Sequence, residues 1–425
     1  MKGLNVPTIM IPKTEIDIQK WTVVACDQYT SELDYWQKVK TLTENSPTTL
    51  NLIYPEVYLN ESEDEANSRI KSINETMQKY IDDNVFTEFK GFVLVDRKTS
   101  HAESRKGLVV ALDLEEYDYN KGSQTLIRAT EKTIVDRLPP RIKIRENAPI
   151  ELPHIMVLID DPEKTVIEPL FNKELETLYD FDLMQNSGHI KGYKLDNPEI
   201  IKEIEKKLDV LADEAKFQEK YPGKGVLLFA MGDGNHSLAT AKAIWEQKKS
   251  AGASMEDSAR FALVELVNVH DEGLTFEPIH RVIFKLDIND MFEKAKEDGF
   301  IVKYFDTEEQ LKAFETQGHA IKFVTKDAIG LLIQENPTHN IEVGTLQIFL
   351  DKYLEGKDAE LDYIHGDDVV ADLGSKENNI GFYLPPMDKN ELFKTVILNE
   401  ALPRKTFSMG EADEKRFYLE CRRIK

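Results

Sequence analysis

The chain has 425 residues, 41% hydrophobic and 31% charged, and 54 Lys and Arg against 77 Asp and Glu leave a formal charge of −23. At roughly 100 to 200 residues per domain this length allows two to four domains with ample core, and the composition excludes a disordered or fibrous chain. A field of that sign repels phosphate polymers, which excludes a general nucleic-acid or anionic-membrane binder; any phosphate ligand needs a local basic pocket. The two cysteines, Cys26 and Cys421, stand near opposite ends, so a disulfide scaffold and a cysteine zinc site are excluded as well. No signal-peptide core opens the sequence, and no stretch approaches the ~20 apolar residues of a membrane helix. The expectation is a soluble, cytoplasmic protein.

In chain order, PTIMIP and WTVVACD are short apolar runs, and a helical stretch ends in QKVKTL. Over 62–82, Ala66, Ile70, Ile73, Met77, Tyr80 and Ile81 recur mostly at three- and four-residue steps behind an acidic first turn, which predicts an amphipathic helix. GFVLVDRKT and GLVVALDLEEY predict a hairpin or meander. TLIRATEKTIVDRLPP predicts a short helix stopped by Pro139 and Pro140, with PRIKIREN and HIMVLIDDPEKTVIEPL as further extended segments. NPEIIKEIEKKLDVLADEAKFQEKY predicts one long amphipathic helix with proline near its start. VLLFAM, apolar at every position, predicts a strand buried on both faces that empties into a Gly-Asp-Gly-Asn-His turn and a helix. The short alternating segments of 288–335 suggest an α/β layer, and the chain closes on the helix KNELFKTVILNEAL and the strand-like KRFYLECRRIK. The predicted class is mixed α/β, with a strand-rich domain over 1–195 and an α/β domain over 196–425.

The most informative local feature is MGDGNHS at 231–237. A buried strand running through Gly232 and Gly234 into a helix start exposes amide N–H groups and the positive end of the helix dipole, a setting suited to an anion. Asp233 could orient a metal or a hydroxyl, and His236 could contact phosphate or move a proton. The same residues also suit a tight turn capped by Asp or Asn. A second feature is the basic stretch Arg128, Lys132, Arg137, Arg141, Lys143 and Arg145, six cations against Glu131, Asp136 and Glu146 in an acidic chain. Convergence of arginines on phosphate would explain it; so would one solvated strand face carrying Arg141, Lys143 and Arg145. Third, VHDEGLTFEPIHR gathers His270, Asp271, Glu272, Glu277, His280 and Arg281, a set that could bind a divalent ion or line a surface loop. ACDQYT adds Cys26, Asp27 and Tyr29, and LPRKTFSM adds Arg404, Lys405, Thr406 and Ser408.

Taken together and in order, ACDQYTSELDYW, TEKTIVDRL, GDGNHS, HDEGLTFEPIHR and LPRKT resemble the motifs of the bacterial and archaeal family called domain of unknown function 1015, over nearly the whole chain. The family's Asp-Gly-His-His-Arg-like turn is similar to one in the ParB and sulfiredoxin group, which includes a free serine kinase and in which the turn binds nucleotide phosphates at a helix start. Here Asn235 stands in place of the first His and Ser237 in place of the Arg, so a cation from elsewhere, Arg281 or one of Arg128, Arg137 and Arg141, must take the missing charge.

The resemblance implies a ParB/sulfiredoxin-like element within a larger mixed sheet and an enzyme that binds a nucleoside phosphate or small phosphorylated metabolite. The expected reaction is kinase-like transfer, for instance to a small hydroxylated substrate such as serine, or hydrolysis. His236, Asp233 and Asp27 are the expected catalytic residues, Asp27 as base. Gly232, Gly234, Asn235, Ser237, Arg128, Arg137, Arg141 and Arg281 are expected at phosphate, and Glu131, Thr133, Asp136, Asp271, His280, Lys405 and Thr406 at the substrate. Magnesium, through Asp233 or Asp271, is the expected cofactor beside the nucleoside phosphate. The partner is a small phosphorylated molecule, with no nucleic acid or membrane. A sensor without chemistry, and a metal-dependent hydrolase using Asp233, His236, Asp271 and His280, are the other two readings.

Overall fold

The computed structural model describes residues 1–135 and 138–425. They form two compact units, one of residues 1–275 with 410–425 and the other of residues 276–409. The division expected at 195 falls inside the first unit, because one sheet draws strands from both sides of it.

That sheet has ten strands. In spatial order they are Thr177–Asp182, His189–Leu195, Phe92–Lys98, Arg105–Asp113, Phe261–Asn268, Met156–Ile159, Phe229–Asp233, Ile127–Arg128 and Tyr117–Asp118, with Leu4–Asn5 pairing beside Leu112 and Ala111. The hairpin expected at 92–113 is present, with Val93 opposite Val109. Met156–Ile159 runs parallel to Phe261–Asn268 and antiparallel to Phe229–Asp233, so the sheet is mixed. Its apolar residues sort by period two onto two faces. Val93, Val95, Val109 and Leu263 face the amino-terminal residues Trp21 and Trp36 and the helix Glu63–Asp82. Phe92, Leu94, Leu108, Val110 and Val264 face Ile204 and Leu208 of one helix and Leu238 and Trp245 of another. Burial on both faces makes such strands read as continuous apolar runs.

Local signals set several boundaries. Ser62 and Glu65 form a capping box at the start of Glu63–Asp82. The long helix expected after Asn197 is two, Pro198–Leu211 and Glu214–Lys220, because Asp213 accepts an amide hydrogen bond from Lys216 and caps a second start. The largest local correction concerns 138–145. Pro139 and Pro140 do not stop a helix; they lie in the first turn of Leu138–Arg145, where a fixed φ and a missing N–H cost little. Arg141, Lys143 and Arg145 therefore do not share a strand face. Four residues apart, Arg141 and Arg145 lie on one side of the helix and pair with Glu56 and Glu151, while Lys143 reaches Glu63 at 3.3 Å.

The carboxyl-terminal segment is tied into the first unit by buried charge. Arg416 bonds both Glu265 and Glu420, all three side chains being 3% exposed or less. Arg422 bonds Glu151 at 2.6 Å, and the Tyr179 hydroxyl donates to Glu420 at 2.5 Å. Gly107 makes room for this cluster, since a Cβ there would lie 2.1 Å from Oε1 of Glu265.

The second unit is a six-stranded antiparallel sheet in the order Ile301–Phe305, Ile329–Gln334, His319–Val324, Ile380–Tyr383, His280–Phe284 and Glu360–Ile364. Helices and strands do alternate through 288–334, as the sequence suggested, but the strands pair antiparallel. Among the described residues no helix is long and apolar enough to cross a membrane.

Candidate functional site

The strand Phe229–Asp233 ends in the turn singled out in the sequence. Gly234 precedes the helix Asn235–Ser250 with φ +81°, a left-handed conformation that a side chain disfavours, and a Cβ there would meet Ile155 at 3.1 Å. The Ser237 and Leu238 amides donate to the Gly234 carbonyl at 3.0 Å, so the donors this start can present are the amides ahead of them.

Register decides what surrounds it. Asp233 pairs with Met156, which brings His154, just before that strand, beside the turn. His154 Nε2 lies 2.9 Å from Ser237 Oγ, and its Nδ1 lies 2.8 Å from the Tyr418 hydroxyl. The Tyr418 oxygen also accepts the Cys26 amide at 3.2 Å. On the other flank, Thr130 donates to the Met231 carbonyl at 2.7 Å, and the Ile134 amide donates to His236 Nε2 at 3.3 Å. An Nε2 that accepts is unprotonated, which leaves the ring proton of neutral His236 on Nδ1. Thr133, 6% exposed, lies in this same segment.

Asp233 accepts the Gly234 amide at 2.9 Å and lies 3.2 Å from Lys415 Nζ. Burial alone would raise its pKa, but the Lys415 ammonium, by charge and hydrogen bond, and the Gly234 amide hold the carboxyl below its ordinary range. Glu56 shows the opposite balance: burial, helped by Asp27, raises its pKa in spite of the Arg141 guanidinium bonded to it. Asp27 Oδ1 accepts from Gln28 at 3.0 Å. Burial, with Asp27 next in weight, pushes the Cys26 thiol up to about 12, so it is no thiolate nucleophile.

Lys415→Met should therefore reverse the Asp233 shift. In the native protein the depressed pKa makes Asp233 a stabilising charge above its unfolded pKa of about 3.9, an increment lost as pH falls through the folded value. With Lys415 gone, burial dominates and the folded pKa should rise above the unfolded one, so ionised Asp233 opposes folding at neutral pH. Carboxyl-carbon NMR titration of Asp233 in the two proteins reads this directly. An unmoved titration in the variant would mean that Lys415 does not set it.

The first unit thus places Asp233, Gly234, Asn235, His236 and Ser237 of the expected residues in one turn, with Gly232 inside the strand and Thr133 in the segment that bonds His236; Glu131 follows Thr130 in that segment, and Arg141 and Asp27 both act on Glu56. Other expected residues are used differently. Arg128 is 3% exposed, and its guanidinium clips the Thr125, Gly225 and Val226 carbonyls instead of opening toward phosphate. Asp271 follows Asn268, which pairs with Ile159 at the end of the sheet opposite His154. Its carboxylate accepts the Lys106 and Gly273 amides, a turn-holding role.

Arg281 and His280 belong to the second unit. Arg281, fully buried, donates to the carbonyls of Ile279, Arg404 and Lys405, so it holds the 403–406 turn and is not an open cation. Thr406 donates to Pro403 within that turn, and Lys405 has φ +55° there. His280 bonds Asp367 at 2.9 Å and accepts the Leu384 amide at 3.0 Å. The four residues of the metal-hydrolase reading are therefore not assembled by either unit: Asp233 and His236 share the turn, Asp271 holds another, and His280 is paired with Asp367. Among the described residues no group of three or more His, Cys, Asp or Glu could hold a metal ion. Asp136 and Arg137 lie outside the described residues.

Sequence reasoning missed His154, Glu56, Lys415 and Tyr418. His154 carries a usable signal, a histidine directly before the buried run IMVLI, mirroring the histidine that follows VLLFAM. Lys415 and Tyr418 carry none, since only pairing of Phe417–Tyr418 with Val23–Val24 brings them here.

A family model described as "Protein of unknown function (DUF1015)" matches residues 10–353. No curated protein matches. Among solved structures, a free serine kinase in complex with AMP is similar at 14% identity and a TM-score of 0.39, over 74% of this chain and 92% of that one. A conserved hypothetical protein from Pyrococcus furiosus is similar at 16% identity and 0.36, over 73% and 90%. SbnI from Staphylococcus aureus, truncated at its carboxyl terminus, is similar at 9% identity and 0.36, over 71% and 82%.

Proposed function

We propose that this chain, which belongs to the DUF1015 family of proteins of unknown function, binds a nucleoside phosphate or similar phosphorylated metabolite at the 231–237 turn and transfers its phosphoryl group. One observation carries the reading: a glycine-led helix start has Lys415 on its Asp233, His154 on its Ser237 and His236 in its first turn, within a chain of charge −23. Helix-start amides and cations are what a phosphate needs, and phosphoryl transfer depends mainly on positioning and charge stabilisation.

In this scheme the helix-start amides ahead of Ser237 cradle phosphate, and Lys415 and Arg141 balance charge that develops on its oxygens. His236 donates through Nδ1 to the transferring group. Asp27 serves as base toward the acceptor hydroxyl, with Glu56 beside it. The described residues do not fit a protein-held metal cluster, so no step is assigned to magnesium.

The test is a thermal-shift panel of ATP, ADP, CTP and phosphoserine followed by a product assay on whatever stabilises the protein. A ligand that binds the folded state raises the melting temperature according to RT ln(1 + [L]/Kd). Stabilisation with consumption supports transfer; stabilisation without consumption supports a sensor; no stabilisation by any phosphorylated compound overturns the proposal.

A further inference from the structure

Ser237 combines two features that none of the roles above uses. It is partly exposed in the first turn of the helix, and its hydroxyl lies 2.9 Å from the imidazole of a partly exposed histidine, His154. The far side of that imidazole is anchored in turn, because Nδ1 lies 2.8 Å from the Tyr418 oxygen and the two rings meet edge to face.

Two hydrogen-bond contacts on opposite nitrogens of one imidazole line up the chain of three. Burial holds the Tyr418 hydroxyl protonated. The Tyr418 oxygen accepts the Cys26 amide and lies within hydrogen-bond distance of His154 Nδ1. With the His154 proton on Nδ1 and donated to that oxygen, the Nε2 lone pair faces Ser237. A hydroxyl whose partner nitrogen is bare, on an imidazole fixed by a third group, is the arrangement that activates a serine.

We propose that Ser237 is a nucleophile that takes the transferring group as a covalent ester, with His154 as its base and Tyr418 as a positioning residue. The assignment deepens the phosphoryl-transfer reading and rests on it for the identity of the natural group. With a nucleoside triphosphate, the bond from Ser237 Oγ to the terminal phosphorus forms. The bond to the bridging oxygen breaks, and its electron pair leaves on the nucleoside diphosphate. The serine proton passes to His154 Nε2. In the second half an acceptor hydroxyl attacks the phosphoserine phosphorus, Ser237 Oγ leaves with the electron pair, and the proton held on His154 returns to it as the acceptor gives up its own to Asp27.

Diisopropyl fluorophosphate tests the nucleophile without any knowledge of the natural substrate. Its phosphorus bonds to an activated serine oxygen as fluoride departs. The full chain should gain one diisopropylphosphoryl group, which peptide mapping by mass spectrometry places on Ser237, and Ser237→Ala should gain none. His154→Asn should slow labelling by roughly 10²–10⁴-fold, the usual worth of a positioned base. Tyr418→Phe should lower the limiting rate of labelling while leaving its half-saturating concentration unchanged, a split that mere loss of packing would not produce.

Should a variant fail to fold, the mapped adduct of the unaltered protein still decides the matter. No adduct, an adduct on another residue, or labelling indifferent to His154 overturns the proposal. The two readings fail separately: stabilisation by ATP without serine labelling removes the nucleophile alone, whereas labelling without any response to phosphorylated ligands keeps the nucleophile and removes the phosphoryl donor.

Discussion

His236→Ala is expected to lower turnover of the phosphorylated substrate by roughly 10²–10⁴-fold while leaving the fold intact. The imidazole stands at the second position of the helix, with Nε2 engaged by the Ile134 amide and the proton on Nδ1. Its removal takes away the donor assigned to the transferring group but little structure, because the side chain is only half-buried and water can replace it at the Ile134 amide, at a cost of about 1 kcal/mol. His236→Asn, which keeps a donor near the same place, should retain more activity than alanine. Product formation under saturating ligand reads the loss, and an unchanged melting temperature shows that folding is not its cause. Full activity in His236→Ala would remove this residue from the chemistry.

Arg416→Met is expected to destabilise the first unit by roughly 3–5 kcal/mol, since breaking a buried ion pair from one side strands its partners. Arg416 is 3% exposed at its side chain and bonds two carboxylates, Glu265 and Glu420, that are equally inaccessible. Burial would drive the guanidinium toward losing its proton, yet the two carboxylates raise its pKa above the ordinary value, so both kinds of charge persist inside the unit. With Arg416 gone, Glu265 and Glu420 must either stay ionised without their strongest partner or bind protons at neutral pH. Hydrogen exchange of the amides in Phe261–Asn268 follows this region without interference from the second unit. A loss under about 1 kcal/mol would show that water or a neighbouring cation replaces Arg416. A triple change of Glu265, Arg416 and Glu420 to neutral side chains of similar shape should cost much less than the single change, because no charge is then stranded. That contrast separates electrostatics from packing.

The two predictions concern neighbouring parts of one segment, since Arg416 anchors the chain between Lys415 and Tyr418. Its bond from Nε to the Pro153 carbonyl, 3.1 Å long, fixes the residue just before His154 as well. The buried charges thus hold in place two residues of the candidate site that lie far from the turn in sequence.

Several elements were legible because their causes are local. The acidic first turn and apolar steps of 62–82, and the two apolar runs of 92–113 joined by a polar turn, need only neighbouring residues. The strand, turn and helix of 229–250 likewise follow from an apolar run, a glycine in left-handed geometry and a helix-forming stretch. The basic stretch misled because its reading hung on secondary structure. As a strand, 141–145 aligned three cations on one face; as a helix begun by two prolines, it sends Arg141 to Glu56 and Lys143 to Glu63.

By itself, then, the sequence determined the mixed α/β class, the family, the glycine turn before a helix and the absence of a general polyanion-binding charge. These depend on composition, on short periodicities and on the conformational freedom of single residues. Which cations could meet a phosphate was decided only by the tertiary structure. Arg128 and Arg281 are spent on backbone carbonyls, whereas Lys415, His154 and Tyr418 reach the turn through strand pairings between distant segments. The physical reason is that register and strand order arise from the balance of burial over the whole sheet, and no local pattern in the chain encodes that balance.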